Sequence, residues 1–155
     1  MANNEFSLVT PAAQTSAPAV MEDDTNFIHD LTAPAEACYC SVKAESKDET
    51  VALYNATNAP DFRLKSFINK PINVKDIFVE VVTCVNKETG EVRKCPRTVL
   101  IDDKGKSYTA VSLGVFSALR KLFTIFGTPD TWDKPMKITP IGVQKDKYEI
   151  LTLSV

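Results

Sequence analysis

The run Ile72-Asn73-Val74-Lys75-Asp76-Ile77-Phe78-Val79-Glu80-Val81-Val82-Thr83-Cys84-Val85 decides how this chain is read. It is β-branched, partly alternating and longer than an ordinary strand, which predicts a curved strand able to pair on both sides. Lys87-Glu88-Thr89-Gly90 follows, with glycine where a left-handed residue is wanted, so Glu91 to Ile101 should return antiparallel. Asp102-Asp103-Lys104-Gly105 is a second such turn and leads into Lys106 to Val111. Two glycine-closed hairpins in succession predict a three-stranded meander.

Downstream, Ser112 is a good N-cap, and Leu113 to Phe126 reads as an amphipathic helix. Val115, Ala118, Leu119, Leu122 and Phe126 fall on one face, with Phe116 and Phe123 beside it. Gly127 and Pro129 stop it. Met136 to Val143 and Tyr148 to Val155 form a last hairpin around Lys145-Asp146-Lys147, with Pro140 suggesting an edge or bulged position. Residues 72–155 therefore predict a mainly β fold with accessory helices: a five-stranded Greek-key barrel of the OB type, with a helix between strands three and four. Such barrels most often bind single-stranded nucleic acid or oligosaccharide.

Upstream, residues 37–71 predict a short strand and helices packed on the barrel. Cys38 to Ala44 suits an edge strand, and Asp48 to Thr57 a helix with Val51, Leu53 and Tyr54 as its apolar positions. Asp61 is placed to cap a second short helix, Phe62 to Asn69. Phe62 with Phe67 and Ile68 would pin that helix to the barrel; Phe62, Arg63 and Lys65 also suit a secondary ligand contact. Residues 1–36 are rich in Ala, Thr, Ser and Pro, then acidic at Glu22-Asp23-Asp24, and read as a flexible arm. Phe27, Ile28 and Leu31 form an apolar cluster there that suits docking on the body or on a neighbouring subunit.

Chemistry finds little support. The one histidine, His29, sits in the predicted arm, which argues against an imidazole base or metal centre. Asp102-Asp103 resembles a metal-binding pair, but a glycine-closed turn explains both residues. No enzymatic activity, metal or cofactor is expected. The four cysteines (Cys38, Cys40, Cys84, Cys95) read as reduced, buried thiols packing as small apolar groups; a four-thiolate metal site is the other reading. The start of the chain lacks a signal-peptide pattern and no apolar run reaches membrane-spanning length, so a cytoplasmic, membrane-free location is expected. Net charge is −2, yet residues 71–155 carry thirteen basic against ten acidic side chains, which weakly favours a polyanion ligand.

Register predicts a binding face. If Lys87 opposes Glu91, then Ile77 faces Ile101, Val79 faces Val99 and Val81 faces Arg97, and this β-branched face should be the interior. The opposite face then carries Phe78 beside Leu100, and the second turn sets Leu100 opposite Tyr108. Phe78, Leu100 and Tyr108 would form an outward stacking row; a one-residue slip in register would instead put Phe78 and Tyr108 inside as core. Lys75, Arg93, Lys94, Arg97, Lys104, Lys106, Lys145 and Lys147, at hairpin tips and strand ends, would supply phosphate contacts. Trp132 reads as a loop anchor rather than a base stacker.

The runs Tyr54-Asn55-Ala56-Thr57-Asn58, Ile68 to Glu80 and Pro96 to Ser112, with Asp103-Lys104-Gly105-Lys106-Ser107-Tyr108 at the centre of the last and the Phe126-Gly127 helix end after it, carry a likeness. Over residues 48–155 the chain resembles the single-stranded-DNA-binding proteins of phages infecting Gram-positive bacteria. The resemblance implies a non-enzymatic early replication protein in the host cytoplasm, coating displaced strands, with single-stranded DNA as ligand and replication proteins as candidate partners. Unlike bacterial counterparts, the chain ends Leu151-Thr152-Leu153-Ser154-Val155 rather than in an acidic tail, which leaves the acidic arm for any recruitment. The competing reading is a phage interaction or assembly module whose barrel holds another protein. Oligomeric state, footprint and the choice between DNA and RNA are left open by the residues.

Overall fold

The computed structural model describes residues 6–8 and 38–155, with side chains described from Cys38 onward. Among the described residues, eight strands form one curled sheet: β1 (Phe6–Leu8), β2 (Tyr39–Cys40), β3 (Phe62–Arg63), β4 (Ile72–Asn86), β5 (Val92–Asp102), β6 (Ser107–Val111), β7 (Met136–Lys145) and β8 (Tyr148–Ser154). Among the described residues two α-helices accompany it, α1 (Lys47–Asn58) and α2 (Leu113–Phe126). The path runs β3-β6-β5-β4-β7-β8, with β1 and β2 also pairing with β4. The meander, the helix after β6 and the last hairpin thus lie where the pattern put them, β2 falls within the edge strand expected over Cys38 to Ala44, and two short strands, β1 and β3, are added. Apart from β1, the arm expected over residues 1–36, with its apolar and acidic clusters, lies outside the described residues.

Both predicted turns form, with Gly90 and Gly105 at φ 69° and 83°. The first is one residue longer than expected. Asn86 pairs with Glu91 across the turn, and its Oδ1 accepts from the Glu88 and Thr89 amides at 2.9 and 3.3 Å. That side-chain turn absorbs a residue and shifts the whole β4–β5 ladder, so Ile77 opposes Leu100, Phe78 opposes Val99 and Glu80 opposes Arg97. Ile77 and Val79 still face the core, but their partners are Leu100 and Thr98.

The core gathers Leu64, Ile72, Val74, Ile77, Val79, Leu100, Tyr108 and Ile138 against Val115, Leu119 and Leu122 of α2. Ser112 caps α2 by accepting from the Val115 amide at 3.3 Å. Phe126, expected on the buried stripe, is 48% exposed at the last position of α2, before Gly127 (φ 79°) redirects the chain. The Trp132 indole donates to the Gly127 carbonyl at 3.1 Å, which makes it the loop anchor its position suggested. Where β6 passes into α2, Gly114 lies against the Leu151 carbonyl of β8; a Cβ there would overlap that backbone.

The second short helix is replaced. Phe62–Arg63 pair parallel to β6, and only Leu64–Phe67 form a single 3-10 turn. Asp61 caps nothing; its Oδ2 accepts from the Ser107 amide and hydroxyl at 3.0 and 3.2 Å, while its own amide donates to Ser107 Oγ at 3.1 Å. Of the four cysteines, Cys84 and Cys95 are buried as expected, whereas Cys38 and Cys40 are exposed. Among the described residues, no group of three or more potential metal ligands comes together.

Candidate nucleic-acid interface

The β5–β6 turn is built around one carboxylate. Asp102 is buried, its Oδ1 accepts from the Lys104 and Lys106 amides at 2.9 and 2.8 Å, and its Oδ2 accepts from the Tyr108 hydroxyl at 2.9 Å. Burial first, and then this bond to Asp102, push the phenol up to about 12. Tyr108 is therefore neutral and held from below, and the turn it braces exposes Lys104 and Lys106 to solvent.

Three rings meet beside this turn. The Phe62 and Tyr108 centroids lie 5.3 Å apart with planes 31° from parallel. Phe67 stands 5.0 Å from Phe62 and meets Tyr108 edge-on at 4.9 Å. Lys70 Nζ sits 5.6 Å from the Phe67 centroid, within cation–π range. Of the three rings, Phe62 is 39% exposed while Tyr108 is 7% exposed. The exchange between Asp61 and Ser107 locks β3 to β6 and so fixes where Phe62 stands.

The proposed outward row of Phe78, Leu100 and Tyr108 does not form. The one-residue shift replaces Phe78 with Ile77 in that row, and the row points into the core. Phe78 lies half-buried on the other face, opposite Val99 and the exposed Cys40. Arg97 is also withdrawn from any phosphate role: it is buried, paired with Glu80 at 2.9 Å, and donates to the Thr57 carbonyl at 2.6 Å.

The remaining cations are exposed, in separate places. Lys75 occupies the bulge where the β4–β5 register shifts, and the Asp103 amide donates to Asn73 nearby at 3.0 Å, which brings the Lys104–Lys106 turn beside it. Arg93 and Lys94 are exposed at the opposite end of that ribbon. Lys145 and Lys147 flank Asp146 (φ 54°) on the β7–β8 turn, next to Tyr148 at 59% exposure.

At this edge of the sheet the exposed ring is Phe62, whereas Phe78 is half-buried and Tyr108 buried. The signal for it was the order Asp61-Phe62-Arg63-Leu64, whose alternation suits a short strand as well as a helix start. No helix among the described residues is long and apolar enough to cross a membrane.

Residues 32–155 match a family model described as phage single-stranded DNA-binding protein. No curated protein matches the chain, and no solved structure does.

Proposed function

The chain belongs to the family of phage single-stranded DNA-binding proteins, and on that premise we propose that it coats displaced strands during phage DNA replication in the host cytoplasm, without catalysing a reaction. The strand order β6-β5-β4-β7-β8 supports an OB-type barrel, left open between its third and fifth strands. The observation that carries the surface is Phe62, an exposed ring backed by Tyr108 and Phe67. A flat, supported ring stacks any base and so tolerates any sequence. Lys104, Lys106 and Lys75 supply backbone contacts beside it, with Arg63, Lys65 and Lys70 following the ring directly in sequence. Arg93, Lys94, Lys145 and Lys147 lie farther along the strand path. Phe78, half-buried, contributes less, and Tyr108 acts by supporting Phe62.

Titration of labelled oligo-dT against the Phe62→Ala variant tests the reading. A loss of about ten-fold is expected from one lost stacking contact, with circular dichroism showing the variant folded at the assay temperature. Wild-type affinity in that variant would remove Phe62 from the interface.

A further inference from the structure

A groove of about 300 Å³ lies between the C-terminal half of α1 and the β4–β5 ladder, lined among the described residues by Tyr54, Thr57, Asn58, Glu80 and Arg97. It opens on the sheet face opposite the core, since Glu80 pairs with Arg97 and alternates with the buried Val79. Its floor is rigid: the Arg97 guanidinium holds Glu80 and donates to the Thr57 carbonyl, which anchors the last turn of α1. One wall is the Tyr54 ring, at 64% exposure.

The lining chemistry suits a nucleobase better than a phosphate. A carboxylate repels a phosphate, whereas Glu80 can accept from the exocyclic amino group of cytosine or adenine. Asn58 offers both an amide donor and a carbonyl acceptor for a base edge. Tyr54 offers a face for stacking. Position supports the same reading. Tyr54 and Phe62 are joined by four helical steps and four further residues, so their Cα atoms are at most about 20 Å apart. That reach is at most about six nucleotides at the roughly 3.4 Å spacing of a stacked strand. Arg63, exposed and next to Phe62, pairs with Thr109, which lies beside Val99 on the face that carries Arg97, so it stands on the groove's side of the sheet edge.

We infer that Tyr54, Asn58 and Glu80 form a second base-binding position, which takes a base of the same strand that crosses Phe62 and favours one bearing an amino group. The inference rests on the reading of Phe62 as part of the DNA path.

The test uses the full chain and labelled oligo-dC and oligo-dT of about 16 nucleotides, with binding followed by anisotropy. Wild type should bind oligo-dC more tightly than oligo-dT. Tyr54→Ala should weaken oligo-dC binding by about ten-fold and abolish that preference, while Tyr54→Phe keeps both. Photo-crosslinking of the wild-type protein to oligo-dC, followed by peptide mapping, should place an adduct on Tyr54, a result independent of any variant's folding. Wild-type affinity in Tyr54→Ala, with no adduct there, overturns the inference. If Phe62→Ala is then still weakened, the main surface stands; if neither variant is weakened, that surface falls as well.

Discussion

Tyr108 donates its phenol to Asp102 Oδ2 at 2.9 Å, across the same turn whose amides Asp102 Oδ1 gathers. One buried carboxylate thereby couples the floor under Phe62 to the turn that carries Lys104 and Lys106.

That bond has a pH signature. Tyr108 is raised from an ordinary 10.0 to about 12, chiefly by burial and then by Asp102. Folding therefore favours the neutral phenol. Its contribution is fully present below pH 10 and is lost as pH rises through about 12. Tyr108→Phe should cost about 1–2 kcal/mol at neutral pH and flatten the loss of stability between pH 10 and 12. Urea melts at neutral pH and across that alkaline window check both; an unchanged alkaline loss would assign it to another group.

Gly114→Ala tests the contact between α2 and β8. Helix propensity alone predicts a gain of up to about 1 kcal/mol. The added methyl would overlap the Leu151 backbone and the Ile150 side chain, an overpacking that costs about 1–3 kcal/mol. The net effect should be a lower urea midpoint, and a raised one would show that the helix and β8 stand farther apart.

Arg97→Leu should loosen α1 and leave the sheet intact. The pair with Glu80 is only partly shielded, since Glu80 is 31% exposed, so a global loss of about 1–3 kcal/mol is expected. The sharper readout is hydrogen exchange: amides of Leu53 to Ala59 should lose protection while those of β4 and β5 keep it.

Lys104→Gln with Lys106→Gln should act on salt dependence. Each phosphate contact to a single strand adds about 0.7 to the slope of log affinity against log salt. Removing two should lower that slope by about 1.4. Anisotropy titrations at several salt concentrations measure it, and an unchanged slope would move the phosphate path away from this turn.

How far the sequence was legible turns on two side chains. The second hairpin was readable in full: Gly105 closes it, and Leu100 falls opposite Tyr108 as the pattern required. The first was readable except for Asn86, whose Oδ1 gathers two amides and lengthens the turn by one residue. Because side chains alternate, that residue exchanged Phe78 for Ile77 in the row facing Tyr108. Asp61 misled in a similar way. An aspartate before an apolar run reads as a helix cap, and only the distant Ser107, 46 residues on, reveals that its carboxylate fastens a strand instead. One local side-chain turn, at Asn86, and one long-range hydrogen bond, from Ser107 to Asp61, decided which rings face outward.

β4 has β5 along one flank, and along the other it meets β7 at Ile72 to Val74, β2 at Phe78 and Val79, and β1 at Cys84 to Asn86. This strand, the longest among the described residues, is therefore bracketed by its own chain on both sides. Copies crowded shoulder to shoulder on one polymer would meet few unclaimed amides and carbonyls along it, so crowding need not end in fibrous self-association.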